Sequence, residues 1–187
     1  LAKVLCAMTA SLLFVVGPLV LTDRGARRSG GWLFWLVYFG ALGAGFMLIE
    51  VSILQRFVLL LGHPVYSLTV TLFSLLLGTG LGAAWSRRLD NRSLRRTGLA
   101  AVAAVAAMAV LVMLISTPIV IWAIPFGRST RMLIAVTMLV PMGVALGVPM
   151  PTGLRLLRAR APEMLSWAWG INGALSVALG VAIIVWP

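Results

Sequence analysis

Long, uninterrupted apolar runs are the feature that most limits how this sequence can fold. A helix that crosses a bilayer needs about 20 mostly apolar residues. In lipid, the backbone amides and carbonyls of such a run must pair within the run, which only an α-helix allows, and a barrel strand would be much shorter. We therefore expect an all-α, polytopic membrane bundle of about six helices, at 2–21, 32–53, 65–85, 99–124, 132–148 and 164–186.

The composition favours a bilayer as the solvent for these runs. Of the 187 residues, 61% are hydrophobic and 10% are charged, with a mean hydropathy of +1.09, whereas a soluble domain carries roughly 25% charged residues. A soluble chain of this length could not hide so much apolar surface from water. The chain begins with leucine and ends directly after an apolar run. We expect residues 1–187 to form a single transmembrane domain within a longer protein.

The basic residues predict the orientation. The net charge of +11 arises from 15 Lys and Arg against 4 Asp and Glu, and these cations cluster between the apolar runs, where anionic lipid headgroups rather than nucleic acid are the expected counter-charge. The positive-inside rule assigns the arginine-rich first, third and fifth loops to the cytoplasmic side of the membrane. Those loops hold Arg24, Arg27, Arg28, Arg87, Arg88, Arg92, Arg95, Arg96, Arg155, Arg158 and Arg160, and the opposite side holds Lys3, Arg56, Arg128 and Arg131.

The second apolar run is ambiguous at its end. It could continue to Leu61, which is longer than an untilted span requires. Either the helix tilts, or Gln55 and Arg56 mark the interface and residues 57–62 lie along it.

Prolines predict further boundaries. Pro118 in the fourth run predicts a kink or an early stop, because proline removes a helical hydrogen bond and crowds the preceding turn. Pro149 and Pro151 predict the end of the fifth helix, followed by a short basic interfacial turn or helix at 153–160.

Glu50 is the only acidic residue inside an apolar run. A carboxylate in hydrocarbon costs several kcal/mol, so it should face the bundle interior and have a partner. Gly40, Gly43 and Met47 share its helix face at three- and four-residue spacing. Because glycines permit close helix approach, we expect Glu50 to point into a seam between helices.

Two interpretations of Glu50 remain open. It is either a protonatable or cation-binding group of a transport pathway, or a structural lock paired with Arg56, His63 or a helix-end donor. Histidine can act as a proton carrier, so His63 is a candidate for that role, although a histidine before a helix-starting proline is more often a cap. The candidate pathway residues are Glu50, Gln55, Arg56, His63 and Asn172.

Small and polar residues recur at helical spacing in several runs. Such stripes are typical of close helix packing in membranes. The predicted packing positions are Gly40, Gly43, Ser74, Gly78, Gly82, Gly143, Gly147, Ser176 and Gly180.

The sequence holds no recognisable catalytic set. It has one cysteine, one histidine, no CxxC, no HExxH and no paired carboxylates. The glycines at 78, 80 and 82 lack the strand–turn–helix context and the trailing lysine of a phosphate loop. General acid–base chemistry needs positioned titratable groups. We therefore predict no catalytic residue, no metal and no cofactor in this chain, and leave the activity of the longer protein open.

Three strings together carry a family resemblance. They are YFGALGAGFMLIEVSILQRFVLLLGHPVYSLTVTLFSLLLGTGLG at 38–82, GVPMPTGLR at 147–155 and WAWGINGALSV at 167–177. In this order they resemble the membrane part of bacterial spermidine-synthase-like proteins. In that family an aminopropyltransferase-like domain is joined to blocks of transmembrane helices, and some members carry a major-facilitator-like portion.

The resemblance implies a partner rather than a catalytic site. The family's nucleotide-binding domain has no counterpart in these residues, so an attached or associated domain is expected, and no catalytic residue is carried over. The implied role is anchoring, alone or together with passage of a small molecule to that domain. A transporter or permease fragment that uses Glu50, and a purely structural anchor, are the alternatives.

Overall fold

The computed structural model describes residues 31–89 and 94–185, and this part of the chain is entirely helical. The prediction of an all-α fold is therefore confirmed for these residues. The run predicted at 2–21 lies outside them. The helices are α1 Trp32–Leu61, α2 Pro64–Ser86, α3 Leu94–Ala123, α4 Arg128–Gly147, α5 Pro149–Arg160 and α6 Leu165–Val185, with a 3-10 turn at Pro162–Met164.

Within the described residues, five helical segments are long and apolar enough to cross a membrane. Each is at least as long as the roughly 20 residues that a span requires. They are Trp32–Leu61, Pro64–Ser86, Arg96–Ala123, Arg128–Arg160 and Pro162–Ile183.

Helix α1 is longer than the predicted run at 32–53. It is one helix of 30 residues, which corresponds to a length of about 45 Å. Gln55 and Arg56 do not interrupt it, because both are good helix formers. The helix ends at Leu61 and is followed by Gly62, whose φ of +73° suits the left-handed cap that glycine adopts without steric cost. The Gly62 amide donates to the Val58 carbonyl at 2.9 Å.

The prolines have different effects. Pro118 does not stop α3, which continues to Ala123. Helix α4 ends at Gly147, and the basic segment that follows is the helix α5 rather than an open turn. Pro149 occupies the first position of α5, where a missing amide hydrogen costs nothing because that amide has no helical acceptor.

The described residues form two compact units. Unit 1 comprises 31–48 and 153–185, and unit 2 comprises 49–89 and 94–152. Helices α1 and α5 each contribute residues to both units.

Consecutive helices alternate in direction in unit 2. Gly143 on α4 approaches Leu75 on α2, and Gly147 approaches Thr79, so α2 and α4 run the same way. At one end of the unit, Arg131 on α4 bonds to carbonyls near the C-terminal ends of α1 and α3. This up-and-down order is expected when each helix crosses the same layer in the direction opposite to that of the helix before it. The buried apolar core comprises Ile53, Phe57, Leu60, Leu75, Val112, Ala123, Ala135, Leu139 and Met142.

Unit 1 is built on an aromatic cluster at the start of α1. The rings of Trp35 and Phe39 stack at 6.3 Å, and both side chains are buried. The Tyr38 ring lies against Gly153 of α5, where a Cβ would be 2.5 Å from Tyr38 Cε1. A bulkier residue at 153 would therefore displace the tyrosine.

Helix α2 has the reverse of a soluble helix's polarity. Its buried face is mostly small or polar, and its exposed face is large and apolar. The buried residues are Ser67, Thr71, Ser74, Leu75, Gly78, Gly82 and Ser86, and the exposed large apolar ones include Leu68, Phe73, Leu76, Leu77, Leu81 and Trp85. In water such a helix would turn its apolar face inward.

Candidate functional site

Glycines bring the backbones of α2 and α4 into direct contact in unit 2. A Cβ at Gly78 would overlap the Val140 carbonyl oxygen and lie 2.7 Å from Gly143 Cα. A Cβ at Gly82 would overlap the Val144 carbonyl oxygen, and one at Gly147 the Thr79 carbonyl oxygen. We call this contact the α2–α4 seam.

Ser74 lies on the same face of α2 and is fully buried. Its hydroxyl donates to the Val70 carbonyl of its own helix at 2.6 Å. The side chain is thereby satisfied locally, which allows a polar residue to occupy a tightly packed position.

A second seam joins α1 and α6 within unit 1. A Cβ at Gly43 would overlap the Asn172 carbonyl oxygen and lie 2.8 Å from Ser176 Oγ. A Cβ at Gly40 would meet the end of the Leu175 side chain, and one at Gly180 would reach only Met47, at 3.7 Å. We call this the α1–α6 seam.

Asn172 connects the two helices of the α1–α6 seam. Its Nδ2 donates to the Phe39 carbonyl at 3.1 Å, and its own carbonyl accepts from Ser176 Oγ at 2.8 Å. The structure thus gives Asn172 an interhelical hydrogen bond, the kind of contact that holds membrane helices together.

Glu50 is half-buried, and its carboxylate forms no hydrogen bond or ion pair with any residue in 31–89 or 94–185. Arg56 and His63, the two partners considered from the sequence, both bond elsewhere. A carboxylate within an apolar helix without such a contact is energetically costly. Its protonation, or a cation beside it, would lower that cost.

Arg56 links α1 to α3. Its Nη1 donates to the Met113 carbonyl at 3.2 Å and to Ser116 Oγ at 3.0 Å, and Thr117 Oγ1 lies 3.5 Å away. These acceptors lie in the turn before Pro118. The guanidinium therefore joins α1 to the turn of α3 that precedes the proline. Gln55, the neighbouring candidate, is exposed.

His63 caps α2. Its Nδ1 accepts a hydrogen bond from the Val65 amide at 3.3 Å, and its φ of −149° and ψ of 131° are the extended values typical of an N-cap. Its ring also meets Tyr66 edge to face at 5.6 Å.

Among the candidate pathway residues of unit 2, no hydrogen bond or ion pair joins Glu50, Arg56 and His63 to one another. In unit 2, Glu50, Arg56 and His63 each have separate surroundings, and Gln55 points to the exterior. Asn172 belongs to unit 1. The structure therefore assigns local roles to Arg56, His63 and Asn172, and leaves Glu50 as the pathway candidate without a bonded partner among the described residues.

Sequence reasoning missed the role of Arg131. Its Nε donates to the Phe126 carbonyl at 3.0 Å, and its Nη1 donates to the Leu60 carbonyl at 3.2 Å. It therefore joins the ends of α1 and α3 to the start of α4. A signal was present, because a cation in the first turn of a helix opposes the helix dipole and needs a specific partner.

Thr71 Oγ1, on the buried face of α2, and Trp167 Nε1, near the start of α6, are buried and have no hydrogen-bond partner among the described residues. The Trp167 side chain is only 6% exposed, whereas that of the neighbouring Trp169 is 61% exposed.

Within 31–89 and 94–185, no three His, Cys, Asp or Glu side chains come together as metal ligands would. No family model, curated protein or solved structure matches the chain. Among the described residues, the arrangement is thus a helical scaffold with one half-buried carboxylate, that of Glu50.

Proposed function

We propose that this chain is the membrane-embedded helical part of a spermidine-synthase-like protein of the bacterial cytoplasmic membrane. Its role is to anchor an attached nucleotide-binding domain to the bilayer. Passage of a small molecule between the membrane and that domain is the second element of the proposal.

The observation that carries the membrane location is the reversed polarity of α2. Its buried face holds serine, threonine and glycine, and large apolar side chains such as Phe73 and Leu76 are 60% and 65% exposed. Contiguous apolar surface of this kind is stable in lipid and aggregates in water. The alternating helix directions of unit 2 and the glycine seams support the same location.

The family part of the proposal is supported by the three sequence strings alone. They cover 38–82, 147–155 and 167–177. The coding sequence on either side of this segment tests it: an adjoining nucleotide-binding domain in the same reading frame supports the proposal. A flanking sequence without any such domain contradicts it.

Membrane integration can be tested by extraction. Membranes from expressing cells are washed with alkaline carbonate and then with a mild detergent. We expect the chain to stay in the carbonate pellet and to dissolve only with detergent, because its exposed surface is apolar. Recovery as a monomer in detergent-free buffer would contradict the membrane location.

The orientation can be tested with single cysteines in a Cys6→Ser background. Ala159→Cys and Ser129→Cys place thiols at two exposed positions, one in the predicted cytoplasmic set and one on the opposite side. In intact spheroplasts, a membrane-impermeant maleimide should label only the Ser129→Cys variant. Permeabilised cells should label both variants, and the reverse pattern would invert the orientation.

A second candidate function is transport, with Glu50 as the coupling carboxylate. Its half-buried carboxylate, which no described residue pairs, favours this candidate. A group that carries a proton or a small cation must be able to exchange it, and a permanent salt bridge would hinder that exchange.

Proteoliposome uptake of labelled spermidine under a pH gradient tests the transport candidate. Glu50→Gln should abolish gradient-driven uptake because the amide cannot exchange a proton. Glu163→Gln, which changes an exposed acid, is the matched control and should transport normally. Absence of uptake by the unmodified protein favours a structural anchor, and normal uptake by Glu50→Gln removes Glu50 from coupling.

A further inference from the structure

One end of unit 2 carries positive charge that no carboxylate of a described residue pairs. Here α1 and α3 end, and α2 and α4 begin. Arg128 and Arg131 occupy the first turn of α4, and that turn contains no acidic residue. A cation there opposes the helix dipole, which is unfavourable unless contacts from outside the helix offset it.

The two arginines differ in how they are compensated. Arg131 donates to the Phe126 and Leu60 carbonyls. Arg128 is exposed, and its guanidinium stacks over the Tyr66 ring with Cζ 4.9 Å from the ring centroid. It makes no hydrogen bond or ion pair with any other residue that the structure describes.

Tyr66 connects Arg128 to His63. The imidazole meets the phenol ring edge to face at 5.6 Å, so the three side chains form one continuous stack. Since His63 accepts the Val65 amide through Nδ1, a neutral imidazole carries its proton on Nε2. The stack therefore offers three donors, the guanidinium, the phenol hydroxyl and Nε2–H, and no described side chain accepts from them.

The surroundings place this stack at the depth of lipid headgroups. Trp122 and Phe126, at the end of α3, pack with ring centroids 4.7 Å apart and are 62% and 37% exposed. Exposed aromatic residues at the ends of apolar helices are characteristic of the membrane–water interface. The hydrogen bonds of Arg131 hold the helix ends together at this location, so the backbone that carries the three donors is fixed in position.

We propose that His63, Tyr66 and Arg128 bind the phosphate of an anionic phospholipid headgroup. The inference rests on the proposed membrane location and goes beyond it, because it assigns a lipid class to a defined group of residues. An arginine binds phosphate through its planar fork of N–H donors. Stacking on Tyr66 holds that fork in place, and the lipid phosphate supplies the negative charge that the first turn of α4 lacks.

Binding of a fluorescent phosphatidylglycerol to the full chain in neutral detergent tests the proposal, with phosphatidylcholine as the comparison lipid. We expect Arg128→Gln to weaken phosphatidylglycerol binding about fivefold, as for one arginine at a lipid surface. Arg96→Gln removes another exposed arginine of unit 2 and should change binding less than twofold. Tyr66→Phe, which keeps the ring, should have an intermediate effect.

Several results would overturn the proposal. Equal losses in Arg128→Gln and Arg96→Gln would indicate non-specific charge attraction. Full competition by millimolar inorganic phosphate would indicate a site for free anions. Equal binding of the two lipids would contradict the headgroup site but not the membrane location. If the chain is soluble without detergent and binds neither lipid, the membrane location itself is contradicted. Arg128→Lys retains the charge and controls for a loss of folding caused by substitution at this position. It should bind phosphatidylglycerol more tightly than Arg128→Gln.

Discussion

The α2–α4 seam and the α1–α6 seam use the same residue type in different ways. In the α2–α4 seam, Gly78 and Gly82 face backbone atoms of Val140, Gly143 and Val144. In the α1–α6 seam, only Gly43 faces backbone; Gly40 and Gly180 face the ends of side chains. Backbone cannot move aside without shifting a whole helix, whereas a side-chain end can change rotamer. Similar glycine stripes therefore differ in their tolerance of a methyl group.

The largest effect is expected for Gly82→Ala. The new methyl would overlap the Val144 carbonyl, so the free energy of unfolding should fall by about 3 kcal/mol, the upper range for overpacking. Unfolding in mixed detergent and SDS micelles, followed by circular dichroism, measures the change. Gly80→Ala is the matched control, because nothing lies within 4 Å of a Cβ there. Equal losses in the two variants would show that the seam is not the cause.

Gly43→Ala should have the next largest effect. Its methyl would overlap the Asn172 carbonyl, although Ser176 Oγ, at 2.8 Å, can rotate away. We expect a loss of about 2 kcal/mol in the same unfolding measurement. Gly45→Ala, where a Cβ meets nothing within 4 Å, should be unchanged. If Gly43→Ala costs as much as Gly82→Ala, the contrast between the seams is weaker than inferred.

Gly40→Ala should cost about 1 kcal/mol, the lower range for overpacking. The obstructing atom is Leu175 Cδ1, which lies 2.5 Å from the place that the new methyl would occupy, and leucine can move to another rotamer. In a Leu175→Ala background, Gly40→Ala should cost much less, because the obstructing side chain has been removed. If Gly40→Ala costs as much in that background as in the unmodified protein, the helices themselves resist the methyl group.

Gly180→Ala should have the smallest effect, less than about 0.5 kcal/mol, as for substitutions that meet no special feature. Its methyl would make ordinary contact with Met47 at 3.7 Å, and methionine adapts readily to its neighbours. Thermal denaturation of the variant and the unmodified protein in detergent measures the change and would detect one larger than this. A loss comparable to that of Gly43→Ala would mean that the seam is tight along its whole length.

The sequence predicted the face of each stripe more reliably than its contacts. The four-residue spacing of Gly78 and Gly82 puts them on one face of α2, and Gly80 falls on another. Local geometry is sufficient for that distinction. It does not reveal that Gly82 meets a carbonyl while Gly180 meets a flexible thioether, because those partners lie far away in the chain.

The candidate site was less predictable than the fold. His63 before Pro64 indicated a cap, and it caps α2. By contrast, the acceptors of Arg56 lie on α3 and those of Arg131 lie at the ends of two other helices. No pattern near either arginine identifies these acceptors, because they belong to segments that lie far from the arginine in the chain.

The sequence by itself determined that the described residues are helical and where their small and apolar faces lie, since hydrogen bonding in long apolar runs and the helical repeat are local properties. Only the tertiary structure decided which glycines touch backbone, which carbonyls hold Arg56 and Arg131, and that Glu50 forms no bond with the described residues. These outcomes depend on the register and crossing of helices distant in sequence, and many sequences with the same local pattern would pack differently.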